Sequence, residues 1–342
     1  MPRAEQAEPQ NWQTNLFDKS GERVSDSSPR AHRGANLLND MDTKEWLLAT
    51  KSVWYSSVSD LQIPFLEEVT TALRSKYGDE RAEQVLGQIC DSIMLSHPPS
   101  RDPLKAQHPA TFAETDIEKL IRFFSKAGDI VLDPFAGSGS ALVAAERCGR
   151  NAVGVEVAHQ WAEIARQRVQ DQPKLFSDHE TTTKVVEGDA RAVVPEFPDD
   201  HFGFIVTSPP YWSVLNKAPD HKVKHERLRK GLPTRYSDSS DDLANLESYD
   251  EFLDALGHIF SICLRVLRPK RYIAVVVSDF RDKSRFHLFH SDVASLLDSS
   301  GYHLAGITIL IQDSKTLYPY GMPHAFVSNI HHQYVVIGRK VD

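Results

Sequence analysis

The stretch DIVLDPFAGSGSALVAAERC, Asp129 to Cys148, decides the fold of this chain. Ile130–Phe135 reads as a short apolar strand that runs without a spacer into a glycine turn, and Ser140–Cys148 then has the composition of a helix. Gly137 and Gly139 permit a tight turn and a close approach of a ligand to the backbone. The helix start behind them offers free amides to an anionic group. Strand, glycine turn and helix together open a doubly wound α/β unit.

Working outward, strands and helices alternate. Further strands are expected at Ala152–Val157, Lys184–Glu187, Phe202–Thr207, Tyr272–Ser278, Ala305–Gln312 and Gln333–Gly338. Helices are expected at Thr115–Lys126, His159–Val169, Tyr249–Leu267 and Leu288–Ser299. The Tyr249 helix has one continuous apolar face, a capping box formed by Ser248 and Glu251, and Pro269 to stop it. This alternation implies a mostly parallel sheet covered on both faces, and the last two strands, joined without a helix, should close it as an antiparallel hairpin. The expected fold class is α/β, Rossmann-like, with seven strands and a small helical region before them. Ligands of such sheets bind beyond the carboxyl ends of the strands.

Residues 1–43 are polar and aperiodic and are expected to be a disordered tail. Residues 44–107 carry helical periodicity between Trp46 and Met94, then a proline-rich connector. The catalytic domain is expected over 108–342, with an insertion at 213–247.

The composition, 41% hydrophobic and 25% charged, is that of a globular protein, and no apolar run is long enough to span a bilayer. With no signal-like N-terminus either, a cytoplasmic location is expected. Cys90, Cys148 and Cys263 show no paired spacing, so neither a disulfide framework nor a metal site is expected.

Two strand ends place acids at the nucleotide side. Glu156 closes the second strand, where a carboxylate accepts hydrogen bonds from ribose hydroxyls, and Asp189 follows the third, beside the expected adenine position. The turn lacks a third glycine at Leu142, which counts against a nicotinamide cofactor. The fourth strand ends in TSPPYW, Thr207 to Trp212. The two prolines donate no hydrogen bonds and stiffen the backbone, leaving the carbonyls of Ser208 and Pro209 as rigid acceptors for an exocyclic amine. Tyr211 can stack on a base turned out of a duplex.

DPFAGSG and TSPPY together resemble the cofactor and catalytic motifs of the amino-methyltransferase family of DNA methyltransferases, from about His108 to Arg339. The resemblance implies S-adenosylmethionine (SAM) as methyl donor and places His108, Asp133, Phe135, Gly137, Gly139, Glu156 and Asp189 around it. The segment KAQHPATF, Lys105 to Phe112, is similar to the element that meets its methionine end. Ser208, Pro209, Pro210 and Tyr211 would form the amine-binding edge. Serine at the first of these positions resembles the cytosine-N4 branch, while many adenine-N6 enzymes carry Asp there. Methylation at carbon 5 is set aside, because that chemistry needs a thiolate in a Pro-Cys pair and none occurs.

The expected partner is double-stranded DNA with a flipped target base, and a restriction endonuclease is an expected companion. From Ser213 to Arg235, seven basic residues face two acidic ones, a local charge of +5 in a chain of −8. Lys217, Lys222, Lys224, Arg227, Arg229 and Lys230 are therefore the expected phosphate contacts. Adenine N6 on the same scaffold is the nearest alternative, and an RNA substrate or a SAM-sensing protein without turnover are the other readings. Asp279 at the end of the fifth strand, and the aromatic residues of Ser314–Phe326, are secondary candidates for the same face.

Overall fold

The computed structural model describes residues 38–40, 53–55, 74–76, 78–79, 102–105, 108, 113–172, 181–215, 229, 237, 239–282, 285–312 and 326–342, and these fall within one compact unit, Leu38–Asp342. Ten strands are present among them: β1 (Val53–Tyr55), β2 (Ile130–Asp133), β3 (Asn151–Glu156), β4 (Thr183–Glu187), β5 (Phe202–Thr207), β6 (Leu267–Val277), β7 (Phe280–Asp282), β8 (Arg285–His287), β9 (His303–Ile311) and β10 (His332–Arg339). The helices are α1 (Glu114–Phe124), α2 (Ser140–Arg147), α3 (His159–Gln170), α4 (Ala190–Val193), α5 (Tyr249–Val266) and α6 (Phe289–Ser299).

Eight strands form one sheet in the order β1-β9-β10-β6-β5-β2-β3-β4. Neighbours from β6 to β4 are parallel, and β10 is antiparallel to both β6 and β9. The seven strands expected from the sequence are all present, with the terminal hairpin. The eighth, β1, is an addition: Val53–Tyr55 pairs parallel with Ile309–Ile311, inside a segment expected to be helical.

The strand pleat divides the core in two. Along β6, Ile273, Val275 and Val277 face a layer that includes Phe252, Phe260 and Phe289 of α5 and α6. Ala274 and Val276 face the other layer, with Ile117, Leu120 and Phe124 of α1 and Ala141 and Leu142 of α2. All six residues of β5 are buried, as befits the middle of a parallel sheet covered on both sides.

The expected capping box of α5 is present, with Glu251 N donating to Ser248 Oγ at 3.1 Å and Ser248 N donating to Glu251 Oε2 at 3.3 Å. Pro269 stands two residues past the C-cap Leu267, where a proline cannot continue the helix. α5 ends at Val266, and Pro269 sits within β6, where the pairing jumps from Phe202–Leu267 to Phe204–Tyr272 and Lys270 adopts φ +62°. A proline is tolerated in a strand at such an irregularity, where its missing N–H leaves no ladder partner unsatisfied.

Candidate active site

The carboxyl ends of β2, β3, β4 and β5 surround one cavity of about 420 Å³. His108, Phe135, Gly137, Glu156 and Asp189 line it, and so do Ser208, Pro209, Pro210 and Tyr211. Two of the sequence-derived cofactor residues do not.

The first is Asp133. It is fully buried, and its Oδ1 accepts from Phe135 N at 3.0 Å and from Thr207 Oγ1 at 2.6 Å. Thr207 immediately precedes Ser208, so Asp133 is a strut between the glycine turn and the end of β5. It does not line the cavity. Burial pushes its carboxyl up to about 7, against the two hydrogen bonds it accepts. The second is Gly139, which lies behind the cavity wall with φ +79°. A Cβ there would meet the Ala165 Cβ at 2.9 Å, so glycine is required for α2 and α3 to pack. Gly137, with φ +52°, is required for a different reason: a Cβ would stand 3.0 Å from His108 Nε2.

Glu156 is 8% exposed and holds the turn through its carboxylate. Oε2 accepts from Gly137 N at 2.7 Å and Oε1 from Ala158 N at 2.9 Å. Each oxygen keeps lone-pair capacity for a ligand hydroxyl. Asp189 caps α4 through Arg191 N at 2.8 Å and pairs with the Arg191 guanidinium at 2.8 Å. Its carboxylate is thus already engaged while it lines the cavity.

A buried ionic network braces this side from behind. Lys105 Nζ and Glu114 Oε2 are 2.5 Å apart, and Arg168 reaches Glu114 Oε1 at 2.5 Å and Asp102 Oδ2 at 2.5 Å. Arg168 also donates to the backbone carbonyl of Ser138 in the glycine turn, and Ser140 Oγ donates to Glu114 at 3.2 Å. Despite burial, which acts to raise it, the Lys105 and Arg168 charges hold the Glu114 carboxyl below its ordinary value. The network ties residues 102–105 and α1 to the turn. His108 contacts the edge of Trp161 at 4.6 Å between ring centroids, and Trp161 also lines the cavity.

On the other side, the Tyr211 hydroxyl accepts from Gln333 Nε2 at 3.3 Å. Burial raises its phenol further above the ordinary range. Its ring meets Phe289 edge-on at 5.8 Å. Trp212, at φ +40°, turns the chain away and anchors it by donating from Nε1 to Leu246 O at 3.0 Å. Gln312 and Gln333 complete this wall.

Asp279 is buried beside Ser278 and bonds His290 Nδ1 at 2.7 Å; it does not line the cavity. Of the basic segment, Arg229 is exposed, whereas Lys217, Lys222, Lys224, Arg227 and Lys230 lie outside the described residues. Tyr318, Tyr320 and His324 do as well, while Phe326 is 91% exposed. Among the described residues no helix is long and apolar enough to cross a membrane.

Sequence reasoning missed Trp161, Asp241, Asp242, Gln312 and Gln333. The two glutamines left a faint signal, as amides at the ends of the mostly apolar runs ITILIQ and HQYVVI. Among the described residues, the cavity lining holds the carboxylates of Glu156, Asp189, Asp241 and Asp242 and neither Lys nor Arg, which suits a ligand bearing a cationic centre.

A family model described as DNA methylase matches residues 6–167 of the chain. The chain is similar to the type II methyltransferase M2.DpnII of Streptococcus pneumoniae, at 39% identity over 64 residues, 19% of this chain and 24% of that protein. It is similar to the orphan methyltransferase M.BamHII of Bacillus amyloliquefaciens, at 39% over 70 residues, 20% and 26% of the two chains. These matches span about a quarter of the length of each relative. Among solved structures, a SAM-dependent methyltransferase of Methanosarcina mazei aligns with 15% identity over 63% of this chain and 93% of its own, with a TM-score of 0.40.

Proposed function

Because this chain belongs to the amino-methyltransferase family of DNA methylases, we propose that it methylates the N4 amine of a cytosine flipped out of duplex DNA, with SAM as donor. The observation that carries the proposal is the single cavity shared by the glycine turn, Glu156 and Ser208–Tyr211.

The residues present fit SAM. Gly137 and His108 line the cavity, Glu156 retains acceptor capacity, and the lining is acidic around what would be a sulfonium. Glu156 would hold the ribose hydroxyls, Asp189 the adenine side, and Phe135, Trp161 and His108 the remaining surface. Bound there, SAM supplies an electrophilic methyl group. The carbonyls of Ser208 and Pro209 accept the amine hydrogens, which localises the nitrogen lone pair for in-line transfer. Pro209 and Pro210 keep those carbonyls fixed, so little reorganisation is needed as charge develops on the amine. Tyr211 stacks on the extruded base. The basic segment 213–235 neutralises phosphates. The same reading pairs the enzyme with a restriction endonuclease whose site it would protect.

The test is nucleoside mass spectrometry of unmethylated duplex DNA after incubation with protein and SAM. N4-methylcytosine is the expected product. N6-methyladenine would reassign the base on the same scaffold. The absence of any methylated base, with RNA methylated or nothing methylated at all, would overturn the proposal.

A further inference from the structure

Phe135 and Ser208 both line the cavity, and a residue that does not line it connects them. Phe135 belongs to the glycine turn, and Ser208 follows Thr207, the last residue of β5. Asp133 ends β2, and its Oδ1 accepts both from Phe135 N at 3.0 Å and from Thr207 Oγ1 at 2.6 Å. The backbone pairing of β2 with β5 runs over Val131–Phe204 and Leu132–Ile205. The Asp133–Thr207 bond carries the link between these strands past their ladder, to the residues that precede the cavity lining.

Packing does not ask for this pair. Asp133 and Thr207 are fully buried, and Phe204, Ile205 and Val206 before Thr207 are buried and apolar. Valine has nearly the shape of threonine. Two buried polar groups joined to each other add little net stability over an apolar pair of the same shape. Burial also pushes the Asp133 carboxyl up to about 7, so a carboxyl at this place is unfavourable in itself. What the pair provides is a spacing. The turn and the start of the Ser208–Tyr211 segment are bonded to one atom inside a close-packed interior, so neither can shift relative to the other without breaking a bond. Group transfer is sensitive to such a shift: misplacing the reacting atoms by about 1 Å can cost about 100-fold in rate.

Resting on the methyltransferase reading above, we propose that Thr207 and Asp133 are positioning residues for methyl transfer. Through their shared oxygen they set the distance between the turn that holds the methyl donor and the carbonyls that hold the amine. Neither residue lines the cavity, so the pair acts on the chemical step and not on the binding of either substrate.

The test compares Thr207→Val with wild type in the full chain, using SAM and unmethylated plasmid DNA. The readouts are the single-turnover methylation rate at saturating SAM and DNA, the KM for DNA, and SAM affinity by calorimetry. The rate should fall about 10- to 100-fold. SAM affinity and the KM for DNA should stay within about twofold of wild type. Thr207→Ser keeps the hydroxyl and should bring the rate back to within about threefold of wild type. Should Thr207→Val melt early, Thr207→Ser and Thr207→Ala carry the test, because both lack the methyl group and they differ only in the hydroxyl. Assayed well below both melting temperatures, Thr207→Ala should be slower than Thr207→Ser by about tenfold or more. An unchanged rate in Thr207→Val, or equal rates in the Ser and Ala variants, would overturn the inference. So would a loss carried by weaker SAM or DNA binding, which would make the pair a packing contact of the cavity wall. Wild-type protein that methylates no DNA would sink the methyltransferase reading instead, and that result is visible before any variant is made.

Discussion

The two walls of the cavity are held by opposite means. The cofactor wall is braced by charge: Lys105, Glu114, Arg168 and Asp102 form a buried network whose cation–anion contacts are each 2.5 Å. The wall proposed to receive the base, here the base wall, is braced by neutral groups, with Gln312, Gln333 and Tyr211 joined at 2.9 and 3.3 Å. Buried charges repay their desolvation only when every partner is in place. A charged wall is therefore complete before any ligand arrives, which suits a site that meets the same molecule every turnover. Neutral hydrogen bonds hold the opposite wall less rigidly, which suits the wall that would receive the target base in the proposed reading.

The largest effect should come from breaking the charged wall. Arg168→Met removes the cation that reaches Glu114, Asp102 and the Ser138 carbonyl. It should cost about 3–5 kcal/mol of stability, measured by denaturant unfolding, because buried carboxylate is left underpaired. A variant as stable as wild type would erase the contrast between the walls. Next is Gly139→Ala, which combines φ +79° with a contact of 2.9 Å to Ala165. Strain of roughly 1–3 kcal/mol is expected, with weakened SAM binding read by calorimetry. Tyr211→Ala acts on the other wall alone. It should lower kcat by about 10- to 100-fold through lost stacking, with SAM affinity unchanged. Loss of SAM binding in that variant would show that Tyr211 serves the cofactor.

How legible these walls were follows from the kind of contact that builds them. β2, the turn and α2 could be read because strand period, glycines and helix are contiguous. α5 could be read because its capping box spans only Ser248 to Glu251. β1 could not: three residues carry no period, and their pairing with β9 lies more than 250 positions away. Asp133 illustrates a different failure. Its place in a cofactor motif suggested a ligand, but the direction of a side chain at a strand end depends on what the neighbouring strand offers, here Thr207. The ionic network and the glutamine pair join residues 54 and 21 positions apart, and nothing local marks them as partners. The basic segment was read from charge alone, and five of its six named residues lie outside the described structure.

The smallest effect separates the walls by pH. Burial raises Glu156 from an ordinary 4.5 to about 7, against the hydrogen bonds from Ala158 and Gly137, and the nearby Asp242 and Asp133 push the same way. A carboxyl raised on folding favours the native state fully below its unfolded value, and that contribution is lost as pH rises through about 7. Ligand binding has the opposite sign, since ribose hydroxyls are best accepted by the ionised carboxylate. SAM affinity should therefore rise by about tenfold between roughly pH 6 and 8, with a proton released on binding at the acid end. Calorimetry in two buffers of different ionisation enthalpy measures that proton directly. Glu156→Gln should bind SAM more weakly at high pH and show no step. The base wall contains amides and a phenol raised above its ordinary range, so kcat at saturating SAM should stay flat across the same window. A step in kcat instead of SAM affinity would place the titrating group on the base side and reverse the assignment of the two walls.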